Sequence, residues 1–245
     1  MIVLGLDTAT ASSAVALRLA DGRTSEARDD PPPGAHPGHA TRLLDMARVL
    51  LEQADLGWHD LDRIAAGVGP GTFTGLRVGV AAARGLAQSL SIELLGVSSL
   101  QALAHGALAG EGGAHNRVLA VIDARRGEAF IAAYERGEGI APRELLEPRA
   151  LAPADLAAAI ERVDAEQAAP AGWLAVGDGA VRFRAELEQA CVKVPGDESP
   201  LHGVSAGSIC ALGAAATPTT GEQLLPDYRR RPDAELTLEA TGAGA

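Results

Sequence analysis

The chain has few basic residues for its size. Its 245 residues include 21 Lys and Arg against 32 Asp and Glu, which gives a formal net charge of −11. Independent, high-affinity binding to nucleic acid normally needs a basic face, so this charge argues against it. The basic run Arg229-Arg230-Arg231 lies near the C-terminus, where we interpret it as part of a solvated tail.

Cysteines and long apolar runs are also scarce. Cys191 and Cys210 show no metal-ligand spacing and cannot form a framework of several disulfides, so we expect free thiols in a reducing compartment. The N-terminus lacks a basic leading region, and Asp7 interrupts its apolar run. Because no run approaches the length of a membrane span, we expect a cytoplasmic protein without a membrane segment.

The two common phosphate-binding motifs are missing from the glycine-rich stretch GVGPGTFTGLRVG at residues 67–79. In a Walker A loop, Gly69 and Gly75 would be one residue closer, and lysine and a hydroxyl residue would follow. A dinucleotide fingerprint starting at Gly69 would need glycine where Thr74 stands. A helix opening near this position could still receive an anion on its free N–H groups.

Strands and helices alternate along the chain, and this order indicates an α/β fold with mixed sheets. Asp21-Gly22 predicts a hairpin, and the apolar spacing predicts an amphipathic helix from residue 39 to 53. RVLAVIDARRGEAFIAAYE repeats the layout of MIVLGLDTATASSAVALRL, a strand ending in aspartate, a polar turn and a second strand. We take this as a duplication that predicts two similar lobes, with a chance match as the alternative.

Glycines gather at residues 105–116 between two patterned regions, and there we place the lobe boundary. The predicted division is an N-terminal lobe at 1–104, a C-terminal lobe at 105–231 and a flexible tail at 232–245. The division leaves open that the helix after Gly203 packs back against the N-terminal lobe, in which case the N-terminal lobe would be made of two separate stretches of chain.

Six motifs follow one another in an order that resembles the TsaB family: LGLDTAT, His39, GPGTFTGLRVGVAAARGLA, GVSSLQALA, DARRGEAF and LLPDYRRR. They extend from the N-terminus to about residue 231 and so cover nearly all of the chain. The resemblance implies a two-lobed fold of the actin, Hsp70 and sugar-kinase type, related to ribonuclease H, in which each lobe is built around a sheet that begins with a hairpin.

The resemblance also implies a role as a non-catalytic subunit. It would pair with the catalytic paralogue TsaD, which moves a threonylcarbamoyl group from an AMP-activated intermediate onto the adenosine beside the anticodon of tRNA. The ATPase TsaE would join the assembly. The isolated chain is expected to form a homodimer and to meet tRNA only through the complex.

The resemblance implies at most a degenerate nucleotide-binding site. Nucleotide-binding relatives carry glycine in the first hairpin turn, where this chain has Asp7-Thr8-Ala9-Thr10. Asp7 either links to magnesium or caps its own turn, and the second alternative is favoured. Gly177-Asp178-Gly179 lacks the usual glycine run and is interpreted as a tight turn. We therefore expect no cofactor, and at most weak ATP or ADP binding within the complex.

The metal site of the catalytic relatives is incomplete here. Their H-x-x-x-H motif places two imidazoles on one helix face, whereas His36-Pro37-Gly38-His39 is one residue shorter and contains two helix breakers. His39 is expected to begin the helix or to pack at an interface. No complete catalytic set is visible, so neither catalytic nor metal-binding residues are predicted. The alternative is a self-sufficient nucleotide- or metal-dependent enzyme of the same fold, either a transferase or a metalloprotease.

Small residues recur every four positions in the helix predicted at residues 75–90, and such spacing allows another helix or a sheet to approach closely. They could pack on the chain's own sheet, but the resemblance favours a subunit contact made together with the helix at 39–53. Replacing Gly79 with leucine is then expected to cost association more than folding. The predicted interface residues are His39, Leu43, Met46, Leu50, Gly75, Arg77, Gly79, Ala83 and Arg84.

Overall fold

The computed structural model describes residues 1–32, 38–110, 115–166 and 172–229. In these ranges the chain forms two mixed sheets with helices between and outside them. The first sheet has the order β3-β2-β1-β4-β5. Its strands are β1 (Val3–Asp7), β2 (Ser13–Arg18), β3 (Thr24–Asp29), β4 (Arg63–Gly69) and β5 (Glu93–Ser98).

The second sheet repeats the arrangement of the first. Its order is β8-β7-β6-β9, and its strands are β6 (Arg117–Arg125), β7 (Glu128–Glu135), β8 (Arg143–Leu151) and β9 (Trp173–Val176). In both sheets the opening strand pairs antiparallel with the next strand and parallel with the fourth strand of its lobe. The predicted duplication is therefore present in three dimensions.

The helices form three layers. They are α1 (His39–Gln53), α2 (Phe73–Leu90), α3 (Ser99–Ala109), α4 (Leu156–Glu166), α5 (Asp178–Arg182), α6 (Arg184–Gln189) and α7 (Ala206–Ala215). Apolar side chains of α1 and α2 pack on the outer face of the first sheet, and those of α4 to α6 on the outer face of the second. The central layer, α3 and α7, fills the space between the sheets.

Helices on both sides explain why β1 and β6 are continuous apolar runs rather than alternating ones. Every residue of β1 is buried, and so is every residue of β6 before Arg125. The edge strand β8 was not predicted, because its RELLEPRAL sequence carries four charged residues and is only partly covered. Charged edge strands of this kind protect a sheet from pairing with other chains.

The central helix α7 lies against the first sheet although it comes from the end of the chain. Gly5 on β1 permits this, because a Cβ there would lie 2.6 Å from the carbonyl oxygen of Ala206. Helix α3 contacts strands of both sheets, and a division between residues 104 and 105 falls inside it. The proposed lobe limits therefore remain a prediction, and the tail at 232–245 lies outside the described residues.

Among the helices of the described ranges, none has the length and apolar character needed to cross a membrane.

Candidate functional site

The first turn of the N-terminal lobe closes around Asp7, the last residue of β1. The backbone N–H of Ala9 donates to Oδ1 at 2.9 Å, and the Ser99 hydroxyl donates to Oδ2 at 2.6 Å. Burial raises the pKa of this carboxyl group above its usual value, and the two hydrogen bonds partly oppose that rise. Asp7 therefore caps its own turn, as one of the two alternatives for this residue states.

Gly67 makes the burial of Asp7 possible. It lies on β4, directly beside β1, and a Cβ at this position would overlap the Asp7 carboxylate. No other residue type leaves that volume empty. The first glycine of the GVGPGTFTGLRVG stretch thus serves close approach between two strands and a side chain.

The same turn does not fit a phosphate cradle. A phosphate needs free N–H groups or hydroxyls directed at it. Here the Thr8 hydroxyl donates to the carbonyl of Gly75 at 2.7 Å, and the Thr10 hydroxyl accepts from the N–H of Ser12 at 3.3 Å. Thr8 and Thr10 are buried. Because the polar groups of this turn are engaged within the chain, we assign no step to a nucleotide bound there.

The small-residue face of α2 packs inside its own lobe. A Cβ on Gly79 would overlap the Thr8 hydroxyl, and one on Gly75 would overlap the Thr8 carbonyl. Ala83 is fully buried. The prediction that these three residues meet a partner is therefore corrected: they meet Thr8 and the first sheet. A leucine at position 79 should accordingly disrupt the lobe itself.

His39 is also an internal residue. It begins α1, as expected, and its Nδ1 lies 2.8 Å from the hydroxyl of Ser13 in a buried pair. Burial lowers the pKa of the imidazole, opposed by the charge of Asp29. His36 lies outside the described residues. Within the part of the chain that the structure describes, no three His, Cys, Asp or Glu side chains converge as a metal site.

The second lobe places two aspartates at the carboxyl ends of its parallel strands β6 and β9. Oδ1 of Asp178 accepts from the backbone N–H of Asp123 at 3.0 Å. Burial raises the pKa of Asp178 to about 6. Gly177 has φ +108°, and Gly179 packs against the backbone of β6 with no room for a Cβ. The tight turn predicted for residues 177–179 is therefore corrected: Gly177 is the N-cap of α5, and Asp178 and Gly179 are its first two residues.

Arginines surround Asp123, and sequence reasoning did not single them out. Nη1 of Arg182 and Nη1 of Arg125 lie 2.7 and 3.3 Å from the same Asp123 oxygen, Oδ2. The backbone N–H of Arg125 donates to Oδ1 at 2.8 Å. The signal was present in DARRGEAF, which served only as part of the resemblance.

A cavity of about 580 Å³ lies between the β2–β3 hairpin and the segment preceding α7. Glu26 accepts from the Ser205 hydroxyl at 2.7 Å, and Arg28 donates to the Val204 carbonyl at 2.7 Å. Arg28 also pairs with Glu26 and Asp30. Asp197 and Glu198 add to the acidic lining, so the cavity is poorly suited to a polyphosphate.

An aromatic patch formed by Phe73, Arg77 and Tyr228 is exposed at the start of α2. The Arg77 guanidinium lies 3.8 Å from the centroid of the Phe73 ring, and its Nε donates to the Tyr228 hydroxyl at 3.0 Å. The two rings are 5.2 Å apart. Phe73 is 36% exposed and Tyr228 is 42% exposed. Leu225, three residues before Tyr228, is 63% exposed.

The predicted interface residues thus divide into two groups. Six of them are buried within the chain and expose little or no area to a partner: His39, Leu43, Leu50, Gly75, Gly79 and Ala83. Met46 is half-buried, and Arg77 and Arg84 are exposed. Phe73 and Tyr228, which sequence reasoning missed, lie beside Arg77. Both residues lie in motifs quoted for the family resemblance: Phe73 is the phenylalanine of GTFTG, and Tyr228 is the tyrosine of LLPDY.

Two related mixed sheets, each opened by an antiparallel pair and separated by helices, define the class: a two-lobed α/β protein with a duplicated sheet. The family model for TsaD, tRNA N6-adenosine threonylcarbamoyltransferase, matches residues 31–189, more than half of the chain. A crystal structure of a Pseudomonas aeruginosa protein with similarity to peptidase YeaZ aligns with a TM-score of 0.76 and 32% identity, covering 94% of this chain and 99% of that one.

Named sequence relatives agree with that match. The tRNA threonylcarbamoyladenosine biosynthesis protein TsaB of Escherichia coli is 41% identical over 138 residues, 56% of this chain and 57% of that protein. TsaB of Haemophilus influenzae is 33% identical over 160 residues, 62% of this chain and 65% of that protein. The chain thus spans less than two thirds of either relative. It belongs to the TsaD family, in its TsaB branch.

Proposed function

We propose that this chain is a non-catalytic subunit in the biosynthesis of threonylcarbamoyladenosine in tRNA, and that it binds the catalytic paralogue TsaD. The names of its TsaB relatives support the pathway. The internal engagement of the Asp7 turn supports the absence of catalysis, since the Asp7 carboxylate and the Thr8 hydroxyl are hydrogen-bonded within the chain.

The observation that carries the partner role is the aromatic patch. Seven aromatic residues are present in the whole chain, yet two of them are held together on the surface by Arg77. Leu44 and Val49 on α1 are exposed as well. Aromatic and arginine side chains are enriched where protein interfaces concentrate their binding energy. The partner face we propose therefore consists of this patch and the exposed sides of α1 and α2, with Arg84 at its edge.

Pairing with TsaD tests this proposal. Tyr228→Ser and Arg77→Glu, made separately, should weaken the complex at least tenfold by titration calorimetry, with thermal unfolding of the isolated chain nearly unchanged. Ile140→Ser is the matched control, because Ile140 is a comparably exposed apolar residue on the other lobe. Normal affinity in both patch variants would reject this face as the interface.

The oligomeric state of the isolated chain is measured in the same series. A homodimer that uses this face should dissociate in the patch variants, whereas one that survives them uses another surface. TsaE is proposed to join only the assembled pair, so it should not comigrate with the isolated chain.

The alternative, a self-sufficient nucleotide- or metal-dependent enzyme, is tested by calorimetry with ATP and magnesium and with zinc. We expect no binding by the isolated chain. Saturable binding together with turnover that is lost in Asp7→Asn would favour the alternative.

A further inference from the structure

The β6–β7 hairpin carries two arginines in a backbone conformation that disfavours them. Arg125 has φ +63° and Arg126 has φ +52°, followed by Gly127 at φ +81°. Arg126 and Gly127 are the two central residues of the turn, and Arg125 is the last residue of β6, where the pairing register shifts. Glycine or asparagine adopts positive φ with least strain. An arginine held there is an outlier whose cost points to a function of the side chain.

Charge is segregated at this hairpin. The cations lie outside, since Arg125 is 57% exposed and Arg182 is 44% exposed, and Arg126 is exposed too. The anions lie inside, since Asp123 is buried beneath two guanidinium groups and the half-buried Asp178 accepts a hydrogen bond from the Asp123 backbone N–H. The exposed charged side chains of this hairpin are therefore cationic, with the half-buried Glu128 next to them, on a chain whose net charge is −11.

Asp123 also orients the two guanidinium groups that it binds. Both arginines contact the same oxygen, so their planes are brought close together, and a guanidinium has five N–H donors. Paired, exposed arginines suit phosphate oxygens, which accept several N–H bonds at once. The openness of the cluster suits the phosphate of a polymer, because small ligands are usually enclosed by a pocket.

We propose that Arg125, Arg126 and Arg182 form a contact site for backbone phosphates of tRNA in the assembled complex. This inference rests on the proposed function, because it needs the tRNA-modifying assembly. Phosphate contacts position the nucleic acid without reading its sequence. A local basic site on an acidic chain would fix where tRNA lies while leaving the isolated chain with weak affinity.

The test is a titration of fluorescent, unmodified substrate tRNA with the complex of this chain and TsaD over a range of salt concentrations. The double variant Arg125→Ala/Arg126→Asn should lose about tenfold in affinity near 0.1 M salt, and the salt slope should fall by about two. Arg125→Lys/Arg126→Lys should recover most of the loss. Asparagine tolerates positive φ at position 126, and alanine at position 125 is no more strained there than arginine, so the first variant should fold about as well as the wild type.

The matched control is Arg23→Ala/Arg162→Ala, which removes two exposed arginines from other surfaces. An equal loss in this control would overturn the proposal, since bulk charge would then explain the effect. Unchanged affinity and slope in the hairpin variant would also overturn it. A third result would overturn it as well: the lysine variant does not recover tRNA binding, and the hairpin variant loses ATP binding by the complex. The cluster would then be assigned to a small anion.

Failure of the proposed function is recognised separately, by size measurement of the mixture with TsaD. If the wild-type chain does not pair, the same variants are titrated with tRNA at low salt as isolated chains. A selective loss in the hairpin variant then supports the site, and equal affinities reject it.

Discussion

The two lobes open with the same strand, aspartate and turn, but they stabilise the aspartate differently. Asp7 is held by a backbone N–H and the Ser99 hydroxyl, with Gly67 pressed against it. Asp123 is held by Arg182 and Arg125 at the edge of solvent. One duplicated layout has therefore given a closed, structural turn in the first lobe and an open, charged one in the second.

The difference teaches that position in the fold does not determine chemistry. Both carboxylates lie at the carboxyl end of the first strand, where α/β folds commonly bind ligands. What each can do depends on its neighbours. The neighbours of Asp7 occupy the space that a ligand would need, whereas those of Asp123 present cations to solvent.

Gly67→Ala should have the largest effect, because it disrupts the closed turn around Asp7 in the first lobe. The added Cβ would overlap the Asp7 carboxylate between two central strands, so we expect a loss of about 3 to 5 kcal/mol in the free energy of unfolding, comparable to severe core changes. The control is Gly85→Ala, an exposed helix position with nothing within 4 Å, which should gain up to about 1 kcal/mol. Denaturant unfolding of both variants measures the contrast. Equal stabilities would show that the Asp7 turn yields easily.

Ser99→Ala removes one of the two hydrogen bonds to Asp7. While Asp7 is ionised, the loss of a donor to this buried carboxylate should cost about 2 kcal/mol. The loss should shrink at low pH, because the Ser99 bond favours the charged form, which disappears as Asp7 is protonated. Unfolding measured at pH 4 and pH 7 checks this. A loss that does not change with pH would mean that the hydroxyl acts through packing alone.

Asp178→Asn tests, through the pH dependence of stability, how the second lobe holds its aspartates. Burial raises the folded pKa of Asp178 from 3.8 to about 6, so the folded state holds a proton that the unfolded state has released. The stability due to the neutral form is present below about pH 4 and is lost as pH rises through 6. The wild type should therefore lose about 1 to 2 kcal/mol over this range relative to the variant. Parallel curves for the two proteins would contradict the burial of this charge.

Asp123→Asn should have the smallest effect on stability. Its partners Arg125 and Arg182 are 57% and 44% exposed, so solvent screens the ion pairs and we expect a loss of only about 1 kcal/mol. The variant should instead let the two guanidinium groups separate. Thermal unfolding gives the first quantity, and the tRNA titration described above gives the second. A loss as large as that of Gly67→Ala would make the two turns equivalent.

Much of the fold followed from local patterns. The hairpin at Asp21-Gly22, the helix at 39–53 and the mixed sheets of an α/β fold all appeared as predicted, because turn residues and apolar spacing act over a few residues. The strand β8 did not, since RELLEPRAL is an edge strand stabilised by pairing with β7 rather than by its own apolar pattern.

The candidate sites were harder to predict. The GxxxG-like spacing of α2 showed correctly that something approaches closely, but Thr8 of the same chain is what does so. The spacing shows that one face of the helix carries small side chains, but it does not show which surface packs against that face. The pairing of Phe73 with Tyr228 joins residues 155 positions apart, and no local pattern could indicate it.

The sequence by itself determined most of the helices and strands, the duplicated layout and the family, because short motifs and periodic apolar residues indicate each of them. Tertiary structure alone decided that Gly67 and Ser99 enclose Asp7, that α7 returns between the sheets, and that Arg182 reaches Asp123 beside Arg125. Such contacts join distant segments, and burial and charge act through space. Which aspartate becomes closed and which stays open is therefore set by the neighbours that folding brings to it.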